Sequence, residues 1–249
     1  MGPVMSFHAP VGWSVAVFVV VLAAFVAALV VGVYVASRAL GGAAGAAALR
    51  RAVLVACGAA VWLGALGAVV RSGALEGSPG RLPLFFLAAN AMGIALALSP
   101  VGRWLASGLP LAALVGFQAL RLPLEIVLHD WARQGSIPET MTWSGSNFDV
   151  VTGALALGTA VFAPRSRALA WVVNVVGLAL LVNVMRVAML SSPAPFGWHL
   201  PNPLLLPLHL PYALIVPVCV AGALLGHVVL TRSLLGLGEQ RVASWRVAS

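Results

Sequence analysis

The sequence predicts an all-α fold: a polytopic transmembrane bundle of about seven spans, N-terminus outside and C-terminus cytoplasmic, forming a single integral membrane domain over residues 1–249. Three observations predict it. First, 61% of the 249 residues are hydrophobic and only 8% are charged, with a mean hydropathy of +1.04. A soluble domain carries about 25% charged residues and needs them to face water. Second, the apolar residues fall in runs near the ~20 residues that cross a bilayer. Third, the arginines separate onto alternate connections. Disorder is excluded by the aliphatic content, and the 26 glycines and 16 prolines follow no collagen period.

Seven runs qualify, starting near Val11, Ala52, Leu82, Leu109, Phe148, Ala168 and Leu210. The first is uncharged from Val11 to Ser37 and no arginine precedes it. That is too long for a signal-peptide core, so it reads as an anchor that stays in the membrane. The second ends at about Val70 and the third at Leu98, while the fourth is shorter and more polar than the rest. The last ends near Leu230, before Thr231 and Arg232. No connection is long enough for a soluble domain, and no inverted repeat of the transporter kind is visible.

All 14 basic residues are arginines, and the formal net charge is +8. The charge is spread singly over connections, with no basic patch interleaved with aromatics, so nucleic acid is not an expected partner. On one side lie nine arginines: Arg38, Arg50, Arg51, Arg103, Arg165, Arg167, Arg232, Arg241 and Arg246. The other side has three, Arg71, Arg81 and Arg133, together with Glu76, Asp130, Glu139 and Asp149. The positive-inside rule then sets the orientation stated above. Cys57 and Cys219 sit in apolar runs without metal-ligand spacing, and read as buried thiols filling helix interfaces.

Two spans carry polar residues that hydrocarbon does not welcome. In the fourth, Gln118, Arg121, Glu125 and His129 follow at intervals of three, four and four, which draws one stripe on a helix, continued by Arg133. A charge in lipid costs about 2.5–3.5 kcal/mol even on a lenient scale, so the stripe should face other helices or water. Arg121 and Glu125 are spaced to pair. One reading is a structural ion pair that fixes packing. The other is a polar site wall, with Glu125 or His129 as acid, base or ligand. Pro123 lies within the stripe and predicts a kink. In the sixth span Asn183 and Arg186 share a face near the outer end. Arg186 either snorkels to the headgroups or clamps a carboxylate or phosphate.

The outer connections are the most polar stretches. Trp131 and Trp143 suit the membrane interface. Asn147 and Asp149 read as caps of the fifth helix, Asp149 favouring its positive end. The proline-rich stretch Pro193–Pro211, which bears His199 and His209, is either a lid or a rigid connector. His8 and His227 read as incidental. Under one topology Glu125, His129, Asn147, Asp149, Arg186, His199 and His209 all fall toward the outer face, from the last four spans, so a polar outward-facing cavity is expected. No tight histidine–carboxylate spacing points to a metal, and no cofactor is implied.

The run Asn183–Leu190, with its arginine near the outer end of a span, resembles the arginine motif of exosortases and archaeosortases, polytopic transpeptidases of anchored envelope proteins. The resemblance implies a nucleophilic cysteine before a glycine in the preceding span and a histidine opening the next. Here these positions read Val151-Thr152-Gly153 and His209, so the nucleophile is missing and thiol catalysis is not implied. A second resemblance covers more of the chain. The segments Arg121-Leu122-Pro123-Leu124-Glu125, Met141-Thr142-Trp143, Gly145-Ser146-Asn147-Phe148-Asp149 and Leu190–Phe196 resemble an uncharacterised group of bacterial multi-pass membrane proteins. It implies a bacterial cytoplasmic (inner) membrane location and directs attention to Arg121, Glu125, Asn147 and Asp149.

Three functions stand at this point. The first is an exosortase-like envelope protein without thiol catalysis: Arg186 clamps an anionic group, Glu125 and His209 transfer protons, and Arg121, His129, Asn147 and Asp149 bind substrate. The second is a small-solute or proton-coupled transporter with Arg121 and Glu125 as the coupling pair. The third is a structural membrane subunit. The expected partners are the lipid bilayer and an envelope protein or anionic small molecule; the sequence leaves the oligomeric state open.

Overall fold

In the computed structural model, residues 7–40, 45–76 and 80–236 are described, and every regular element among them is helical. In chain order these are α1 (Trp13–Ala39), α2 (Gly45–Arg71), α3 (Arg81–Leu98), α4 (Pro100–Gly108), α5 (Leu111–Arg133), α6 (Asp149–Phe162), α7 (Arg167–Ser191) and α8 (Tyr212–Leu234). Six of them, α1, α2, α3, α5, α7 and α8, are long and apolar enough to cross a membrane. The chain is therefore a multi-pass membrane protein. The run starting near Phe148 forms only the 14-residue α6, roughly 21 Å at 1.5 Å per residue, against a hydrocarbon core of ~30 Å.

Two starts differ from expectation. Helix α2 begins at Gly45 and takes Arg50 and Arg51 into its first turns, where long aliphatic stems can lie along apolar surface. Helix α4 is an element the hydropathy runs do not reveal. It starts because Ser99 Oγ accepts from the Val101 amide at 3.1 Å and Pro100 occupies the first helical position.

Prolines set the irregularities of the two inner helices. In α5 the turn Phe117–Leu120 tightens to a 3-10 helix. It contains Ala119, whose carbonyl the Pro123 ring displaces four residues on. In α8 a 3-10 turn at Tyr212–Leu214 is followed by a π segment, Ile215–Val220, around Pro217. The wider register turns Ile215, Val216, Cys219 and Val220 toward one internal cavity.

The bundle has two chemically distinct ends. At one, Trp131 packs edge-on against Phe18 and Tyr212, with ring centroids 5.0 and 5.3 Å apart. The Trp131 indole donates to Ser14 Oγ at 3.1 Å, and Gln134 exchanges bonds with the Val11 backbone. At the other end arginines meet helix C-termini, where free carbonyls and the helix dipole favour a cation. Arg232 donates to the carbonyls of Ala97 and Ser99, Arg167 to that of Leu234, and Arg51 lies over the Trp104 ring. Arg241 and Arg246 lie outside the described residues.

Two apolar clusters fill the interior. One, toward the aromatic end, includes Phe18, Phe85, Leu124, Trp131 and Tyr212; the other includes Val33, Leu105, Val115, Val173 and Leu230. On α5 they meet at Gln118 and Arg121, both buried. The two cysteines part ways. Cys219 is buried as expected, but Cys57 is exposed, because α2 lies at the margin and buries only Ala48, Ala52, Leu66 and Val70.

Candidate functional site

The polar stripe of α5 points inward. Arg121 and Glu125 are each 1% exposed and Asp149 5%. The spacing on α5 suits an Arg121–Glu125 pair, yet Arg121 Nη1 takes Asp149 Oδ1 across the gap to α6 and donates more weakly to the Gly177 carbonyl at 3.4 Å. Gly153 makes this possible. A Cβ there would stand 3.0 Å from the Leu122 amide nitrogen and 2.7 Å from its Cγ, so only a glycine lets α6 lie this close to α5.

Asp149 is held from its other side by the Thr152 hydroxyl, which donates to Oδ1 at 3.0 Å. Asn147 joins both carboxylates. Its Oδ1 accepts from the Asp149 amide at 3.0 Å, the capping role expected of it, while its Nδ2 faces Glu125 Oε1 and Oε2 at 3.0 and 3.1 Å and the Met141 carbonyl at 3.1 Å. An amide has two hydrogens. With one given to Met141, a single N–H serves both Glu125 oxygens.

Arg121 is not saturated. Its Nε and Nη2 are buried and make no hydrogen bond. Those two atoms form the side-on fork that matches a carboxylate or phosphate. Arg121, Glu125 and Asp149 line a cavity of about 50 Å³, otherwise walled by apolar side chains of α3, α5, α7 and α8, with Cys219 among them. Room on this scale holds a few waters or a small polar group. Leu204, Leu206 and Pro207 of the proline-rich connection close it. That connection is stitched down by the Leu204 amide to the Ser191 carbonyl at 2.7 Å and by Trp198 to Leu190 at 2.6 Å. Those backbone bonds make it a roof.

A second polar group lies deeper. His227, taken from sequence as incidental, is fully buried and its Nδ1 lies 2.9 Å from Asn174 Oδ1. Thr231 donates to the His227 carbonyl and so accepts from Asn174 Nδ2 at 2.7 Å. This turns Asn174 Oδ1 toward the ring and assigns the proton of a neutral imidazole to Nδ1. Nε2 is left as a buried acceptor without a partner. The ring lies against Gly177, where a Cβ would be 2.4 Å from Cε1 and 2.7 Å from the Thr152 methyl. Gly177 thus separates the His227 layer from the Arg121 layer by one backbone thickness.

The remaining sequence candidates lie elsewhere. Arg186 is exposed and donates to Asn183 Oδ1 at 2.9 Å, while Asn183 donates to the Ser146 carbonyl at 2.7 Å. His129 stacks on Trp143 with centroids 4.2 Å apart, and His209 on Phe7 at 4.0 Å. His199 is exposed and takes a positive φ of 51°. Val151 is exposed, whereas its neighbour Thr152 is buried against Asp149. The structure thus gathers Arg121, Glu125, Asn147 and Asp149, and leaves Arg186, His199 and His209 outside the cavity wall. Among the described residues no three of His, Cys, Asp and Glu are grouped as a metal set requires.

Sequence reasoning gave no site role to Thr152, Asn174, Gly177, Cys219, His227 and Thr231. A signal existed for two of them: His227 and Thr231 are polar residues four apart in an apolar run, the spacing that singled out Arg121 and Glu125. No family profile, no curated protein and no solved structure matches this chain.

Proposed function

We propose that the protein binds a small anionic group within the membrane at Arg121, as the solute site of a small-solute or proton-coupled transporter. The observation that carries this reading is the unpaired Nε/Nη2 edge of a buried arginine that lines a cavity. A buried donor without a partner costs about 1–3 kcal/mol, more when charged, and a bound carboxylate or phosphate relieves that cost. The depth of the site favours transport: it lies where the two apolar clusters meet, and the His227–Asn174–Thr231 group continues polar character toward the arginine-rich end.

In the same proposal α6 is the fifth of seven passes in one membrane domain, since it starts beside the aromatic end and leads to Arg165 and Arg167. The arginine-rich end faces the cytoplasm of a bacterial inner membrane, which puts the N-terminus outside and the roofed cavity toward the outer face. Single cysteines at 139 and 165, in a background without Cys57 and Cys219, test this with an impermeant maleimide on intact cells. Labelling is expected at 139 alone, and labelling at 165 alone inverts the topology.

An exosortase-like envelope protein without thiol catalysis is the second reading. One observation favours it: the cavity sits in the half of the bundle that carries the long roofed connections. The deciding experiment is thermal unfolding of the purified protein against a panel of small carboxylates and inorganic phosphate. Anions should raise Tm and ammonium should not. The neutral double variant R121Q/D149N, which lacks the fork without stranding a charge, should lose the response. A response retained in that variant removes Arg121 from the site.

A further inference from the structure

The charges around the cavity do not balance. Arg121 is paired one-to-one with Asp149, which leaves Glu125 as a second carboxyl without a cation of its own. An ionised Glu125 puts the trio at net −1; a protonated one leaves it neutral. In a low-dielectric interior an uncompensated charge is expensive, and a second negative charge brought beside it more so. With Glu125 ionised, an incoming anion therefore meets a repelling site. With Glu125 neutral, it meets an arginine whose Nε and Nη2 are unpaired, with only the Asp149 pair nearby. Solvation by the protein does not offset this, because Asn147 offers one N–H to two Glu125 oxygens.

Resting on the anion-binding reading above, we infer that Glu125 is the proton-binding group that gates anion capture at Arg121, so that the cavity takes up an anion and one proton together. The other ionisable groups facing Glu125 are few. On α5 itself there are Arg121 and, one turn on, His129, whose ring is stacked on Trp143. Helix α6 contributes Asp149, already held by Arg121 and Thr152. Helix α8 contributes Cys219 at the cavity wall and His227 one layer deeper. The cavity residues of α3, α7 and the roof, Phe86, Leu181, Val184, Leu204, Leu206 and Pro207 among them, carry no ionisable side chain. The proton moves from solvent to a Glu125 oxygen on loading and returns on release; no covalent bond to the anion forms.

Formate is a suitable probe, because it is small, matches the arginine fork and stays ionised between pH 6 and 8. Calorimetric titration of the full-length protein in two buffers of different ionisation enthalpy reads binding and proton uptake together. The expected result is affinity falling about tenfold per pH unit once Glu125 ionises and, in that same range, uptake approaching one proton per formate. E125Q, checked by size exclusion, should bind formate with no proton uptake and no pH slope; H227Q should keep the slope. Formate binding to the wild type with neither proton uptake nor a pH slope anywhere between pH 6 and 8 overturns the inference while leaving the Arg121 site intact. A slope that survives in E125Q and disappears in H227Q also overturns it, and moves the proton to His227. No formate, carboxylate or phosphate binding at any pH defeats the anion reading itself, and the coupling with it.

Discussion

Arg121 and Arg186 each interrupt an apolar helix, and the two occupy opposite environments. Arg121 is buried at the meeting of four helices, bonded to Asp149 and left with a free donor fork. Arg186 is exposed on α7 and bonded to Asn183 on its own helix. One guanidinium depends on a residue 28 positions away; the other depends on its neighbour one turn back. An intramembrane charge acquires a site only when a second chain segment is held against it, and here Gly153 and Gly177 let α6 and α7 come that close.

The sharpest way to break the contrast is to remove the distant partner. D149A strands a buried guanidinium and should cost about 3–5 kcal/mol of unfolding free energy, measured by chemical unfolding in mixed micelles. The neutral pair R121Q/D149N should recover most of that loss; no recovery would mean that shape rather than charge holds α6 in place. G177A tests the spacing between the two polar layers. A methyl there meets His227 and Thr152 well inside contact distance, so a loss of about 1–3 kcal/mol is expected. R186A should change stability by no more than about 0.5 kcal/mol, as an exposed substitution does. A large loss there would place Arg186 in an interface that a single chain does not display.

Much of the fold was legible because a membrane span is written in local composition. Six apolar runs became six helices long enough to cross, with α3 ending at Leu98 as read. The inward stripe of α5 was legible too, since charged residues at helical spacing in an apolar run have one tolerable direction. Asn147 keeps the capping role read for it, its Oδ1 accepting from the Asp149 amide, whereas the Asp149 carboxylate goes to Arg121 and Thr152 rather than to a backbone amide. What escaped was partner choice. Spacing alone allows Arg121 to meet Glu125; that it meets Asp149 depends on how closely α6 packs on α5. Helix α7 is apolar nearly all round, so nothing in its pattern says which face holds Arg186. Cys219 entered the cavity wall through the π register around Pro217, a backbone event that hydropathy does not encode.

The 14 residues of α6 have a consequence for the lipid itself. Its chain is about 9 Å too short for an average hydrocarbon layer, the difference between roughly 21 and 30 Å. If α6 crosses as proposed, the bilayer beside it must thin, or headgroups must dip, and each ångström of such mismatch costs a fraction of a kcal/mol. Phe162, at its far end, is 87% exposed. Such a dimple would bring water and headgroups closer to Asp149 and shorten the dielectric distance to the proposed anion site, a contribution from the solvent beside that of the side chains. Reconstitution into bilayers of increasing acyl length should then weaken anion binding at Arg121.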